Sequence, residues 1–153
     1  MEIGATKAVQ DRLKTTKIEE SKGASLVFCW DTHLTKIKGR NVLFIVNASN
    51  RYTIAMTDIE PRNWNYYTMY IRSVIHGVMQ EMGYSEDQIG QYFKMSGDTT
   101  VTKTHGRKSV GGINRMVMDA QYFGKKLEKE AKYQWELSEY LNRDICQPEG
   151  FDA

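Results

Sequence analysis

Residues 100–116 have the sequence TVTKTHGRKSVGGINRM, and this stretch decides how the chain is divided into elements. The β-branched run over 99–104 predicts a strand. From Ser109 onward, apolar residues recur at helical spacing, beginning with Ile113 and Met116, and this spacing predicts a helix. We therefore predict a strand, a basic loop and the N-terminus of a helix, in that order.

The helix that begins near Ser109 is predicted to be long. Its apolar stripe continues as far as Trp135, and an extension to Asn142 gives a helix about 50 Å long at about 1.5 Å per residue. A domain of this size is narrower than that. The predicted organisation is therefore one domain over 1–123, followed by a helical extension and tail over 124–153.

The predicted extension carries three aromatic side chains among many charges, namely Tyr133, Trp135 and Tyr140. Aromatic residues on a charged helix outside the core favour docking onto another protein or onto a second copy of the chain. The alternative is an extension that folds back over the sheet. These three residues are the candidate partner-binding residues, and a homo-oligomeric structural protein is one functional hypothesis.

The pattern upstream of residue 100 changes once. Apolar runs at 25–30, 41–46 and 52–57 are separated by turn-rich residues, which predicts an antiparallel β-meander in the first half. After Pro61 the period becomes helical, and Ser85 begins a second helix with a capping box. The predicted fold class is α+β, with an antiparallel meander followed by α-α-β-α and a long C-terminal helix.

Composition restricts the possible classes of function. With 153 residues, 41% of them hydrophobic and 26% charged, the chain fits one folded domain. Its two cysteines lie far apart without metal-ligand spacing, so we expect a cytoplasmic protein with no cofactor and no metal. Apolar runs fall short of the roughly 20 residues that a membrane span needs, and no membrane partner is expected.

The net charge of +2 is small, but the charges are unevenly distributed. Residues 32–57 and 99–118 contain no Asp or Glu. If the two segments meet, their cations form one positive surface suited to a nucleic acid or a nucleoprotein complex; otherwise they are separate solvated faces. The candidate anion- and nucleic-acid-binding residues in these segments are Lys36, Lys38, Arg40, Arg51, Lys103, His105, Arg107, Lys108, Ser109 and Asn114.

The loop before the predicted helix is the most specific of these candidates. The free N–H groups of a helix start favour an anion, Arg107 could bind it through two hydrogen bonds, and Lys103 adds a charge. The loop lacks the GxxxxGK[ST] frame of a phosphate-binding P-loop. The alternative is that Ser109 is only an N-cap and the cations point into water. A nucleotide- or phosphate-binding enzyme over 103–114, with His105 as general acid or base, is a second functional hypothesis.

Several motifs resemble those of an uncharacterised domain family of bacteria and their plasmids and phages. Members of that family carry patterns like ATK near the start, LFTN before a tyrosine-containing strand, and FTKT..RSVLGSMN near the end. The matching residues here are Ala5, Thr6, Lys7, Leu13, Trp30, Leu34, Leu43, Phe44, Asn47, Tyr52, Thr102, Lys103, Thr104, Arg107, Gly111 and Asn114. The resemblance covers about residues 1–123. It implies an α+β unit with a shared surface around Lys103, Arg107 and Asn114, and it implies no activity.

The hypothesis that best combines these features is a small non-enzymatic binding protein, encoded by a phage or mobile element. Its partner is expected to be a nucleic acid or a nucleoprotein complex. An inhibitor of a host-defence complex, such as an anti-CRISPR protein, fits the small size and the charge pattern.

Overall fold

The computed structural model describes residues 1–13 and 17–143. Its centre is a five-stranded sheet with the strand order β4-β3-β2-β1-β5. The strands are β1 (Glu2–Ala5), β2 (Cys29–Ile37), β3 (Arg40–Asn47), β4 (Thr53–Thr57) and β5 (Thr100–Thr102). Strands β2, β3 and β4 pair antiparallel, whereas β1 pairs in parallel with both β2 and β5.

The predicted class, a mixture of helices and strands, agrees with the structure, but the sheet is mixed rather than an antiparallel meander. The strand predicted over 99–104 is β5, but the prediction did not pair it with β1 or place β1 inside the sheet. The β2–β3 turn is local, and both of its residues, Lys38 and Gly39, have positive φ angles (51° and 82°), as a two-residue hairpin requires. The pairing of β1 with β5 joins residues about a hundred positions apart, so no local pattern in the sequence reveals it.

The helices are α1 (Lys7–Arg12), α2 (Pro61–Asn65), α3 (Tyr67–Glu81), α4 (Glu86–Ser96), α5 (Gly106–Gln121) and α6 (Trp135–Asn142), and Leu26–Phe28 forms one 3-10 turn. The start of α4 is as predicted. The Ser85 hydroxyl accepts from the Gln88 N–H, and the Gln88 side chain accepts from the Ser85 N–H. None of the described helices is long and apolar enough to cross a membrane.

The predicted long C-terminal helix is wrong. Helix α5 ends at Gln121, and α6 is a separate helix of eight residues. Between them, the buried Gln134 side chain holds an irregular segment: its amide donates to the carbonyls of Glu128 and Ala131, and its oxygen accepts from the Glu128 N–H. This loop allows Leu127 to reach the core without a continuous helix.

Hydrophobic side chains pack on both faces of the sheet. On one face, Ile3, Leu43 and Ile45 pack in a cluster with Ile71 and Ile75 of α3. The opposite face is built in the same way from β2, β3, β4, α5 and α6, through Ile37, Val42, Phe44, Ala55, Ile113, Ala120 and Leu137. The sheet is therefore the middle layer of three, and α5 lies on the face opposite α3.

Both edges of the sheet are covered by irregular chain. The Thr57 N–H donates to the Lys132 carbonyl, and the Gln134 N–H donates to the Ala55 carbonyl, along β4. Along β5, the Glu19 N–H donates to the Val101 carbonyl. Because covered edges cannot pair with another chain, this arrangement protects the sheet from edge-to-edge association. It also joins the residues after 123 to the sheet.

Candidate functional site

Polar side chains gather where β1 and β2 run side by side under the start of α5. The parallel register places Glu2 beside Cys29, and Gly4 beside Asp31. Because alternate residues of a strand point to the same face, all four positions face α5. Glu2 and Asp31 are buried at 5% and 0% exposure, so this face of the sheet holds two carboxyl groups away from water.

His105 lies between these two carboxylates. Its Nδ1 is 2.6 Å from Oδ1 of Asp31, and its Nε2 is 2.8 Å from Oε1 of Glu2. The His105 side chain is only 4% exposed. Since a carboxylate only accepts hydrogen bonds, an imidazole that donates from both nitrogens carries a positive charge. The arrangement is a buried imidazolium between two carboxylates.

The pKa values of His105 and Glu2 are shifted in the directions that keep both groups charged. Burial lowers the pKa of the His105 imidazole, but the hydrogen bonds and charges of Asp31 and Glu2 outweigh burial and raise it above 6.5. Burial raises the pKa of Glu2, but hydrogen bonds from Ser21, His105 and the Lys22 amide outweigh it and lower that pKa below 4.5. The buried ion cluster therefore stabilises its own charged form.

The start of α5 holds the carboxylate of Asp31. The helix begins at Gly106 with His105 as its N-cap residue, so Ser109 lies in its first turn and is not the N-cap. The Ser109 hydroxyl and the His105 backbone N–H both donate to Oδ2 of Asp31. The anion at the start of this helix is thus the carboxylate of Asp31, a group of the protein itself.

Gly4 is the residue that makes room for this arrangement. A Cβ at position 4 would lie 1.9 Å from Oδ1 of Asp31 and 3.1 Å from the Cα of Thr104. Only a residue without a side chain allows the carboxylate to lie against β1. Gly4, Glu2 and Asp31 were not among the predicted site residues. The signal that could have marked the two acids is a carboxyl group directly beside an apolar residue of a strand, Glu2 before Ile3 and Asp31 after Trp30.

The cluster does not have the geometry of a Ser-His-Asp hydrolase. In such a triad the serine hydroxyl donates to histidine, whereas the Ser109 hydroxyl donates to Asp31 and both histidine nitrogens are engaged by carboxylates. Burial, followed by the nearby charges of Glu2 and Asp31, raises the pKa of the Cys29 thiol to about 11, which disfavours the nucleophilic thiolate. The arrangement can fix α5 to the sheet, and it offers no free acid, base or nucleophile.

Cys29, Glu2 and His105 also have ligand atoms within 4.8 Å of one another, a spacing that could hold a metal ion. The Nε2 of His105 and Oε1 of Glu2 already lie at hydrogen-bond distance, 2.8 Å apart. An ion would have to replace that hydrogen bond and separate the two groups. The observed donors therefore suit the ion cluster better than a metal centre.

The predicted anion-binding residues do not form one group. Arg107, Lys108 and Asn114 lie exposed on α5, and the Arg51 guanidinium lies against the same helix at Gly112. Lys36 and Lys38 are exposed near the β2–β3 turn, where the Gln121 amide at the end of α5 donates to the Lys36 carbonyl.

Two of the predicted basic residues have protein partners away from the α5 surface. Arg40 donates to the Glu128 carbonyl and forms an ion pair with Asp58 at 2.9 Å. Lys103 forms an ion pair with Glu20 at 2.7 Å. The acid-free segments thus meet along α5, but Arg40 and Lys103 are paired with acidic residues elsewhere.

The three predicted partner-binding aromatics are not equivalent. Tyr133 is half-buried and bridges to Met56 of β4. Tyr140 is half-buried, with its ring 5.3 Å from the ring of Phe123. Trp135 remains 46% exposed at the start of α6. Only Trp135 presents a large apolar surface to solvent.

An apolar groove of about 550 Å³ opens on the other face of the sheet, between β2 and helices α3 and α4. Trp30, Met79 and Tyr92 are among its lining residues. Trp30 Nε1 donates to the Tyr92 hydroxyl, which donates to the Val27 carbonyl. Because these polar groups satisfy one another, the groove suits an apolar ligand and is separate from the cations of α5.

Comparison with known proteins extends the resemblance found in the motifs. No curated protein and no solved structure matches the chain. One family model matches residues 2–152, which continues beyond residue 123, where the recognised motifs end. The predicted membership of an uncharacterised family is confirmed: the chain belongs to the family described as Domain of unknown function (DUF6933).

Proposed function

We propose that this protein is a non-enzymatic binding protein that holds a single-stranded nucleic acid on the exposed face of α5. The observation that carries the proposal is that all three cations of α5 are exposed, and unpaired among the described residues, on a stretch of helix without an acidic residue. Within residues 1–13 and 17–143, the side chains of Arg107, Lys108 and Arg115 form no ion pair or hydrogen bond. Several cations on other elements have an acidic partner, among them Lys7, Arg40, Arg62, Lys103 and Lys132.

Unpaired cations on one helix face favour a polyanion. Between Gly106 and Met118 the helix carries no Asp or Glu, so no like-charged group repels a phosphate chain there. Asn114 adds an exposed amide that can donate to phosphate or sugar oxygens. The positive surface is therefore continuous over the first three turns of α5.

Exposed apolar side chains follow the cations on the same face. Met118 and Tyr122 are 61% and 77% exposed, and they lie three and seven residues after Arg115, so the three side chains are neighbours on the helix surface. An exposed tyrosine beside cations suits stacking with an unpaired base. This combination favours a single strand over a duplex, whose bases are already stacked.

The enzyme hypothesis over residues 103–114 receives no support from the geometry. It needs His105 and Arg107 to converge on one pocket, but the His105 side chain is buried between carboxylates while Arg107 is exposed. A binding role also fits the wider proposal of an inhibitor that occupies a host-defence nucleoprotein complex, because such an inhibitor needs contact rather than chemistry.

Removing two of these charges is expected to weaken binding. For Lys108→Gln combined with Arg115→Gln, we expect an affinity about tenfold lower for a labelled single-stranded DNA or RNA oligonucleotide at low salt. With two phosphate contacts fewer, binding releases fewer counterions. The plot of log affinity against log salt concentration should therefore become less steep, by about 1–1.5 in slope. Fluorescence anisotropy titrations at several salt concentrations measure both quantities.

The matched control removes two positive charges from the opposite side of the sheet, through Lys7→Gln combined with Lys94→Gln. Net charge falls equally in the two variants, so a general charge effect would lower both affinities alike. An intact affinity in this control supports the α5 surface. Absence of oligonucleotide binding by the unmodified protein at low salt would refute the proposal.

A further inference from the structure

The guanidinium of Arg51 lies directly over Gly112 of α5. A Cβ built at Gly112 would be 2.9 Å from Nη1 and 3.1 Å from Cζ of Arg51. The glycine thus allows the guanidinium to approach the helix backbone more closely than any side chain would permit. At the neighbouring Gly111, a Cβ would meet nothing within 4 Å. Of two adjacent helical glycines, one makes room for a cation and the other does not.

The loop that carries Arg51 holds it in an unusual backbone conformation. Arg51 has a φ of 64°, in the left-handed region that non-glycine residues rarely adopt. The loop is fixed by its own hydrogen bonds: the Arg51 N–H donates to the Asn47 carbonyl, and the Asn47 side-chain oxygen accepts from the N–H groups of Ser49 and Asn50. Such strain persists where surrounding contacts over-determine it, and it often marks a functional position. The loop therefore orients the Arg51 side chain towards α5.

Arg51 has no anionic partner in the part of the chain that the structure describes, although it is partly buried. Its neighbours on the helix surface are also cations. Lys108 and Arg115 lie four residues before and three residues after Gly112, so both share the helix face that Arg51 covers. Like charges on one helix face repel one another, and a bound anion would relieve that repulsion.

We propose that Arg51, Lys108 and Arg115 form a binding site for one phosphate group (the phosphate seat). Gly112 provides the space that positions Arg51 in it. This inference rests on the proposed binding of a nucleic acid by α5. It identifies the residues that bind a phosphate of the nucleic-acid backbone. The planar guanidinium can donate two hydrogen bonds to one phosphate, while Lys108 and Arg115 contribute charge from either side.

The two adjacent glycines provide the test, because neither Gly112→Ala nor Gly111→Ala changes the net charge. Gly112→Ala adds a methyl group where the guanidinium lies, so Arg51 must move away from the helix. We expect about a three- to tenfold loss of affinity for the single-stranded oligonucleotide and a salt slope lower by about 1. Gly111→Ala is expected to keep both quantities. Circular dichroism confirms that each variant is folded.

Arg51→Gln supplies the second arm. If Gly112 acts only by positioning Arg51, the double variant with Gly112→Ala binds no more weakly than Arg51→Gln alone. Additive losses would overturn the inference, since they would assign Gly112 a contact of its own.

The remaining outcomes separate this inference from the proposed function. If Lys108→Gln with Arg115→Gln weakens oligonucleotide binding while Gly112→Ala does not, the binding function stands and the phosphate seat is wrong. If the unmodified protein binds no oligonucleotide, the phosphate seat is tested with inorganic phosphate. The measurement is the change in melting temperature on adding phosphate, compared with chloride at equal ionic strength. A phosphate shift present in Gly111→Ala and absent in Gly112→Ala supports the seat, and equal shifts overturn it.

Discussion

Replacing Gly4 with alanine is expected to destabilise the protein by about 3–5 kcal/mol, the range found when a buried charge loses its partner. The added methyl group would lie 1.9 Å from Oδ1 of Asp31, a distance that real atoms cannot occupy. The carboxylate must therefore move, and its hydrogen bonds with His105 and Ser109 are lost. Chemical denaturation followed by circular dichroism measures the change in the free energy of unfolding.

Two further variants distinguish this cause from a general intolerance of alanine. Gly77 lies inside α3, and a Cβ there would meet nothing within 4 Å, so Gly77→Ala should stabilise the protein by up to about 1 kcal/mol. On an Asp31→Ala background the clash with the carboxylate is gone, and Gly4→Ala should cost much less than in the unmodified protein. An equal cost in both backgrounds would instead place the strain at the Thr104 backbone, 3.1 Å from the added atom.

Local signals in the sequence predicted local structure well. The capping box at Ser85 involves residues three positions apart, and the turn at Gly39 joins adjacent strands, so both are visible in a short window. The pairing of β1 with β5 and the end of α5 depend on distant contacts. The apolar stripe after Gln121 has helical spacing, but the buried Gln134 and its three hydrogen bonds to the 128–131 segment favour a loop there. Tertiary contacts overrode the periodicity.

The candidate site shows the same limit. His105 was recognised as the histidine in the key loop, but its partners Glu2 and Asp31 lie 103 and 74 residues away in sequence. No spacing rule connects residues so far apart. Without those partners, the loop has the composition of an external anion site. With them, its histidine and serine bind the protein's own carboxylates. Among the described residues, the unpaired cations next to the loop are those on the exposed side of α5.

The sequence nevertheless contained a usable signal for the exposed surface. The acid-free run over 99–118 becomes the first three turns of α5, which carry no acidic residue on any side; Asp119 lies in the last turn. Which cations stay unpaired could not be predicted. Lys103 and Arg40 belong to the same two runs as Lys108 and Arg51, but the fold places Glu20 and Asp58 beside them.

The second large effect is expected from His105→Gln, which removes the cation between two buried carboxylates. A neutral glutamine leaves Glu2 and Asp31 facing each other without charge compensation, and we expect a loss of about 3–5 kcal/mol near pH 6. The cost should depend on pH. A folded-state pKa above 6.5 means that the charge on His105 contributes fully below pH 6.5, and that this contribution is lost as the pH rises through the folded pKa.

Glu2 sets the acidic limit of the same contribution. Its pKa is lowered below 4.5, so its stabilising charge is present above pH 4.5 and is lost as the pH falls through the folded value. The difference in unfolding free energy between the unmodified protein and His105→Gln should therefore be greatest between pH 4.5 and 6.5. Above pH 6.5 the difference should shrink, at most by about 1.4 kcal/mol for each pH unit.

Other groups titrate in this range, and the comparison of two proteins removes their effects. Burial lowers the pKa of His33, so that residue contributes stability that rises with pH, and the lowered pKa of the Met1 amine acts in the same direction. Both contributions are shared by the unmodified protein and the variant, and they cancel in the difference.

His76→Gln is the matched control, because His76 pairs at 3.2 Å with Glu86, whose side chain is 68% exposed. A pH-independent difference for His105→Gln would show that the imidazole is neutral in the folded protein, and a large effect of His76→Gln would show that the loss does not require burial.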